Sequence, residues 1–208
     1  MNGPLDRVYV DRHRDVLKPV AVLLESFILD FMQSDPTVPR VDRIVARAKD
    51  PASFMKKTQK KNDDGTLYYS DPITQIQDQI GARIIVFYLD DVEAACARVM
   101  KYMTVAEETI KEPESEWEFG YFGKHFVLTL PPDVVPRELD LGSAPRLFEL
   151  QIRTVFQHAW SEANHDIVYK AQQKLTSLQK RRCALAAAQS WGADRLFQEL
   201  FNEIHRKS

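Results

Sequence analysis

The chain contains 208 residues, 44% of them hydrophobic, with a formal net charge of −2 at pH 7. This length allows one sizeable domain, or one domain with helical extensions, and the composition excludes global disorder and bulk binding of nucleic acid. No apolar run approaches the about 20 residues that cross a bilayer, and the N-terminus has no apolar signal region. The two cysteines, Cys96 and Cys183, form neither a disulfide framework nor a zinc motif, so we expect buried thiols and a cytoplasmic protein.

The first predicted element is an amphipathic helix over residues 8–33. Its apolar side chains recur at helical spacing and fall on one stripe, which we interpret as packing only. They are Leu17, Val20, Leu24, Phe27, Ile28 and Phe31. Pro36 and Pro39 break the pattern and predict a loop. A short helix is then predicted over Val41–Arg47.

A cluster of positive charge follows this loop. Residues 40–61 hold eight Lys or Arg against two Asp, a local charge of +6, which leaves −8 for the rest of the chain. Asp50 as N-cap and Pro51 at the first helical position predict a helix that extends through Lys61. One hydroxyl and two ammonium groups can converge near its first turn to bind phosphate: Ser53, Lys49 and Lys57. On this stretch alone, a solvated lysine-rich helix is the better interpretation.

Helices and strands alternate in the middle of the chain. Residues 73–89 are predicted to form a short helix that leads into a central strand, because Ile84–Tyr88 is almost continuously apolar. Asp78, just before that strand, suits a metal ligand and a helix cap equally well. A helix over Asp90–Met103 completes the alternation, which indicates an α/β sheet.

Three further segments separate this unit from the C-terminus. Residues 104–118 are predicted to be a solvated strand or loop, Phe119–Leu130 a strand, and Pro131–Pro145 a loop. From Gln172 onward we expect one or two helices with apolar residues that bury against the domain or against a second subunit. They are Leu175, Leu178, Cys183, Leu185, Ala186, Trp191, Leu196, Leu200 and Ile204.

The stretch Phe148–Lys170 is the most informative. Its polar side chains Glu149, Gln151 and Arg153 alternate with apolar ones, which predicts a strand and favours the wall of a cleft over a solvated edge. Thr154 as N-cap, with Gln157 three residues later, predicts a capping box and a helix. One side of this helix is apolar and predicted to be buried: Phe156, Trp160, Ile167 and Val168. The other side is polar: His158, Glu162, His165 and Tyr169.

The sequence has neither a Walker A loop nor a dinucleotide-type glycine motif, so a nucleotide enzyme here must bind phosphate with side chains. Four motifs in register resemble the synthetase domain of the RelA/SpoT family, which makes the alarmone (p)ppGpp by moving pyrophosphate from ATP to GTP or GDP. They are R-x-K-x-x-x-S-x-x-x-K from Arg47, D-x-x-G-x-R from Asp78, Y-x-x-x-H from Tyr121, and E-L-Q-I-R-T from Glu149 with H-A-W-x-E from His158.

The resemblance implies a nucleotidyltransferase-like mixed β-sheet flanked by helices. It divides the chain into an N-terminal helical extension (1–39), a synthetase domain (40–171) and a C-terminal helical region (172–208). It also implies roles. The ATP-binding residues would be Arg47, Lys49, Ser53, Lys57 and Arg83. The catalytic residues would be Asp78, Glu149 and Gln151, of which Asp78 and Glu149 would also bind Mg²⁺. The acceptor-binding residues would be Tyr121, Lys124, His125 and Arg153.

The acceptor half departs from the family pattern. Gly123 stands where small synthetases usually have Ser, and the acidic residues 112–119 replace a basic segment. A toxin-like member that pyrophosphorylates adenosine nucleotides or the 3′ end of tRNA, and that an antitoxin neutralises, is therefore an alternative. Three lysines could offer it a basic surface: Lys56, Lys60 and Lys61.

Three further interpretations accompany the resemblance. A non-catalytic nucleotide-binding regulatory module is a third function, against which the pair of Asp78 and Glu149 argues. A separate metal site at Glu162-x-x-His165 is disfavoured because no second motif of this kind occurs. The family resemblance also implies a homo-oligomer, a tetramer.

Overall fold

The computed structural model describes residues 3–34, 39–111, 119, 123–169 and 174–205. Its α-helices are α1 (Pro4–Arg12), α2 (Lys18–Gln33), α3 (Pro51–Thr58), α4 (Pro72–Gln75), α5 (Leu89–Tyr102), α6 (Val155–Asn164) and α7 (Ser177–His205). Its strands are β1 (Val41–Ala48), β2 (Ile80–Val86), β3 (Val105–Lys111), β4 (Gly123–Thr129) and β5 (Leu147–Thr154). Short π- or 3₁₀-helical turns occupy His13–Leu17, Gln77–Gln79, Pro132–Val134, Leu141–Ser143 and His165–Tyr169.

The strands form one mixed sheet in the order β1-β2-β5-β4-β3. β2 and β5 run parallel, whereas the other neighbouring pairs are antiparallel. The connection between the two parallel strands contains α5, β3 and β4. The mixed α/β sheet flanked by helices, predicted from the sequence, is therefore confirmed.

The two faces of the sheet differ because side chains alternate along each strand. One face carries Ile84, Phe126 and Leu150, which are fully buried and lie on the side contacted by α2 and α5. The other face carries polar side chains in register, such as Arg83 of β2 opposite Gln151 of β5. α6 packs against this second face. The fold thus separates a hydrophobic core from a polar surface across one layer of backbone.

The predicted N-terminal helix is confirmed. α1, a π-helical turn and α2 follow one another without a break from Pro4 to Gln33. Four residues of the predicted apolar stripe are fully buried in the core that includes the sheet: Leu17, Val20, Leu24 and Ile28. The domain boundaries proposed from the sequence stay predictions.

The predicted short helix over Val41–Arg47 is wrong, since this segment is the edge strand β1, antiparallel to β2. Its pairing register shifts between Val41 and Arg43. Such a bulge interrupts the two-residue alternation by which a strand is recognised in sequence. Beyond the shift the alternation is regular, with Ile44 turned to the core and Arg47 exposed.

The helix predicted from Asp50 begins as expected but ends early. Asp50 accepts a hydrogen bond from the backbone N–H of Ser53 at 2.9 Å, and Pro51 is the first residue of α3. α3 ends at Thr58. Lys60 and Lys61 therefore lie beyond the helix, contrary to the prediction.

The C-terminal region forms the single long helix α7. Several apolar residues that were expected to be buried are instead exposed on this chain: Leu178, Leu185, Leu196, Leu200 and Ile204. The predicted burial of Ile167 and Val168 is also wrong, because they are 57% and 40% exposed. None of the helices in the described part of the chain is both long and apolar enough to cross a membrane.

Candidate active site

Asp78 is the first anionic centre of the polar face. It lies in the turn Gln77–Gln79, directly before β2. Its two carboxylate oxygens each lie 2.9 Å from an ammonium group, Lys49 Nζ after β1 and Lys57 Nζ on α3. Burial acts to raise the pKa of Asp78, but the two lysines outweigh it and the pKa is lowered. Asp78 is therefore a carboxylate in a compact, charge-compensated cluster.

Glu149 is the second anionic centre, and it lies on β5. His125 Nδ1 is 3.0 Å from Glu149 Oε1, and Gln151 Nε2 donates to the same oxygen at 3.2 Å. Because a carboxylate only accepts, the imidazole nitrogen must be the donor. The His125 hydrogen bond outweighs burial and, with Gln151, holds the pKa of Glu149 at about 2. Within the described residues, Oε2 of Glu149 makes no hydrogen bond.

Two cavities meet at these carboxylates. The large cavity, about 500 Å³, lies over β1, β2 and β5. The small cavity, about 250 Å³, lies over β4 and the α4 region. Asp78 and Glu149 line both. Two ligands could therefore occupy adjacent spaces and meet beside both carboxylates.

The large cavity is rich in cationic groups. All five residues predicted to bind ATP lie at this cavity or at its boundary: Arg47, Lys49, Ser53 and Arg83 line it, and Lys57 reaches Asp78 from the small cavity. α6 closes one side with His158 and Glu162. The predicted capping box at Thr154 and Gln157 is present, and it fixes the direction in which α6 leaves β5.

The polar face of α6 contacts the polar face of the sheet. Glu162 Oε1 lies 2.8 Å from Arg83 Nη1. The pKa of His158 is lowered mainly by burial and further by the nearby charges of Arg83 and Arg153. The charge of Glu162 acts in the opposite direction but does not outweigh them. His158 is therefore held neutral beside the cavity. The side chain of Tyr169, predicted on the same face, lies outside the described part.

The structure does not bring every predicted acceptor residue to the cavities. His125 lines the small cavity, but Lys124 points to the other face of the sheet, where its Nζ lies 3.5 Å from Glu93 of α5. Arg153 is only 4% exposed and donates to Gln151 Oε1 and, at 3.0 Å, to Ser161 Oγ. It thus contacts Gln151, one of the predicted catalytic residues, and α6. Tyr121 and the acidic residues 112–118 lie outside the described residues.

Sequence reasoning missed several lining residues. Arg43 faces the large cavity because it shares the outward face of β1 with Arg47. A strand prediction there would have found it from the spacing of four residues. The small cavity is lined by residues of no predicted role: Tyr69, Gln75, Gln77 and Thr109. They come from a loop, the end of α4, the turn Gln77–Gln79 and the edge strand β3, where no periodic pattern marks them.

A sequence-family model described as "Region found in RelA / SpoT proteins" matches residues 46–174, which include both carboxylates and all four motifs. The chain belongs to the RelA/SpoT family. This RelA/SpoT protein is 25% identical over 197 residues to the GTP pyrophosphokinase YjbM of Bacillus subtilis (strain 168), across 92% of this chain and 86% of the relative.

Solved structures share the fold of this RelA/SpoT protein. The small alarmone synthetase 1 from Bacillus subtilis superposes with a TM-score of 0.74 at 20% identity, covering 96% of this chain and 97% of that one. The same synthetase bound to its product pppGpp gives 0.72 at 22% identity, covering 97% and 99%. This chain therefore shares with these synthetases the fold of a mixed sheet with flanking helices.

Proposed function

We propose that this protein is a pyrophosphokinase that transfers the β,γ-pyrophosphate of ATP to the ribose 3′-OH of GDP or GTP, making (p)ppGpp. The new bond joins the 3′ oxygen to the β-phosphorus, the bond between the β-phosphorus and the α,β-bridging oxygen breaks, AMP leaves, and the hydroxyl proton is released. The observation that carries the proposal is the pair Asp78 and Glu149, which line both of two adjoining cavities. Family membership and the GTP pyrophosphokinase relative support it.

The large cavity suits ATP. Arg47 pairs diagonally with Arg83, since Arg47 lies opposite Gly81 and Val45 opposite Arg83 on neighbouring strands. Such diagonal neighbours are about 7–8 Å apart, which leaves room for one aromatic ring between two guanidinium planes. The ammonium groups of Lys49 and Lys57 then face the phosphates beside Asp78. Catalysis here rests on positioning and on compensation of charge.

The carboxylates also suit a divalent cation. Asp78 and Glu149 are both ionised, and one buried oxygen of Asp78 has no well-aligned hydrogen bond in the described residues although Lys57 is near. No cluster of three or more His, Cys, Asp or Glu among those residues could hold a metal by itself. Mg²⁺ typically binds through one or two carboxylates plus substrate phosphates and water, which this pair fits. When bound, it would offset the negative charge of the phosphates.

We assign Glu149 and His125 to orienting the acceptor. With a pKa of about 2, Glu149 is a weak proton acceptor in the ligand-free enzyme. We therefore assign it to cation binding and to holding the 3′-hydroxyl by its Oε2, rather than to storing the proton. His125 fixes Oε1 and borders the small cavity, where the acceptor sugar and phosphates would lie. Gln151 is assigned to fixing Glu149 as well.

The test follows γ-labelled ATP incubated with the purified protein and Mg²⁺, with GDP, GTP, an adenosine nucleotide or deacylated tRNA as separate acceptors. We expect label on GDP and GTP, and its loss in Asp78→Asn and Glu149→Gln. Glu93→Gln is the matched control, because that carboxylate is 68% exposed on the opposite face. Label on tRNA or adenosine nucleotides alone would replace the guanosine acceptor by the toxin-like alternative. Absence of any transfer would favour a regulatory module.

We further propose that the protein self-associates through the outer side of α7. The inner side buries Ala187, Asp194 and Gln198, whereas the opposite stripe exposes apolar residues by 42–60%: Leu185, Leu196 and Leu200. A helix that is buried along one side and exposes an apolar stripe along the other normally has a second partner on the apolar side. Light scattering should give an oligomer, a tetramer by family resemblance, and Leu196→Lys should dissociate it. A monomeric wild-type protein would contradict this.

Location and macromolecular partners stay predictions. Both cysteines are thiols, Cys96 buried and Cys183 half-buried, which agrees with a reducing compartment such as the cytoplasm. Fractionation of cells that express a tagged protein tests the location. Co-purification of tRNA or of a neutralising protein would support the toxin-like alternative.

A further inference from the structure

α1 lies outside the family-matched segment 46–174, yet one of its side chains contacts the phosphate-binding region. Tyr9 is fully buried, and its hydroxyl donates to the backbone carbonyl of Lys49 at 3.0 Å. Its ring stacks on Phe54 of α3, with centroids 3.6 Å apart and planes inclined by 7°. Burial, and secondly the charge of Asp78, raises the pKa of Tyr9, so the hydroxyl stays a neutral donor.

A second side chain of α1 contacts the turn that carries Asp78. Arg12 Nε donates to Gln79 Oε1 at 3.1 Å. Gln79 is 1% exposed, and its amide nitrogen donates to the carbonyls of Ile73 and Ile76 at 2.7 and 3.0 Å. Arg12 therefore fixes which way this buried amide faces. The backbone carbonyl of Gln79 in turn accepts from the N–H of Lys49 at 2.8 Å.

We infer that Tyr9 and Arg12 are positioning residues for the reaction, an inference that rests on the proposed function. Tyr9 acts on the backbone of Lys49, and Arg12 acts on Gln79, the residue next to Asp78. Between these two attachments lies the pair of Lys49 Nζ and Asp78 Oδ2, 2.9 Å apart. Neither side chain lines the cavities that the described residues form. Their effect on catalysis therefore passes through the placement of other groups.

The test compares Tyr9→Phe, which keeps the ring stack and removes one hydrogen bond, with Val8→Ala at an exposed position of α1. We expect Tyr9→Phe to lower kcat or raise the KM for ATP by about three- to tenfold, the effect of one hydrogen bond. The KM for the acceptor should be unchanged. Arg12→Met should act in the same direction, and Arg12→Lys should restore part of the loss. Val8→Ala should match wild type.

A purely structural role makes a different prediction. It would lower the melting temperature of Tyr9→Phe but leave kcat and both KM values unchanged well below that temperature, which would overturn the inference. If wild type itself transfers no pyrophosphate, the proposed function fails instead. The affinity for a non-hydrolysable ATP analogue, measured alongside, then decides the inference: weaker binding by Tyr9→Phe and Arg12→Met supports it, and unchanged binding overturns it.

Discussion

Replacing Asp194 by Asn should stabilise the protein, and more so at high pH. Asp194 lies on α7, is 4% exposed and accepts a hydrogen bond from Thr154 Oγ1 at 2.9 Å through one oxygen. Its other oxygen is buried without a hydrogen bond in the described residues. Burial, only partly offset by Thr154, raises the pKa of Asp194 from an ordinary 3.8 to about 6. Asp194 therefore binds its proton more tightly in the native state than in the unfolded chain.

The sign follows from this raised pKa. The contribution of Asp194 to stability is fully present below about pH 3.8 and is lost as the pH rises through about 6. A difference of one in pKa between the two states corresponds to about 1.4 kcal/mol. Relative to low pH, the raised pKa of Asp194 therefore lowers the free energy of unfolding by about 3 kcal/mol at pH 8 and by about 1 kcal/mol at pH 4.5. Asn keeps an oxygen that can accept from Thr154 but carries no charge, so Asp194→Asn should recover most of these amounts.

The assay is urea unfolding followed by tryptophan fluorescence at pH 8 and at pH 4.5. We expect the gain in the free energy of unfolding of Asp194→Asn to be about 2 kcal/mol larger at pH 8. Asp63→Asn, at an exposed turn position, is the control and should leave stability unchanged at both pH values. An equal gain at the two pH values would refute burial of charge as the cause, and a loss would show that the carboxylate stabilises α7.

Three further predictions concern the site and its support. His125→Phe removes the main hydrogen bond to Glu149, so the pKa of Glu149 should rise from about 2 to its ordinary value or above; carbon NMR titration of the labelled carboxyls checks this, and an unchanged pKa would contradict it. Glu162→Gln releases Arg83 from a 2.8 Å ion pair and should change the KM for ATP by a few-fold with little change in kcat, in steady-state kinetics; an unchanged KM would show that the pair does not set the position of Arg83. Thr154→Val removes the N-cap of α6 and should lower the free energy of unfolding by about 1–2 kcal/mol; a neutral substitution in urea unfolding would mean that the cap is dispensable.

The helix α3 and the strand β5 could be predicted because their residues belong to local patterns, whereas the ATP-binding roles came from the family resemblance and stay predictions. Asp50, Pro51 and the neighbouring lysines predict a capped helix with cationic side chains near its first turn. The alternation of Glu149, Gln151 and Arg153 with apolar residues predicts a strand with one polar face. Both features depend only on residues that are close in sequence, so tertiary packing did not change them.

Other features depend on tertiary packing and left no local signal. The bulge in β1 concealed the strand that carries Arg43. Lys124 follows Gly123 directly, and only the register with β5 shows that it faces α5 while His125 faces the site. Arg153 shares the face of Gln151 by alternation, but α6 covers it, and sequence spacing cannot show what covers a residue.

The mutual pairing of Lys49, Lys57 and Asp78 has a consequence for how ligands enter. In the ligand-free protein both ammonium groups already have a counter-ion 2.9 Å away. If phosphate oxygens bind these two lysines, Asp78 becomes a partly buried anion without a counter-ion. If a cation binds Asp78, the two lysines lose their counter-ion and repel each other. Each exchange of partners is unfavourable alone and favourable when both occur together. In the proposed enzyme, nucleotide and divalent cation should therefore bind with positive cooperativity, each increasing the affinity for the other by the same factor.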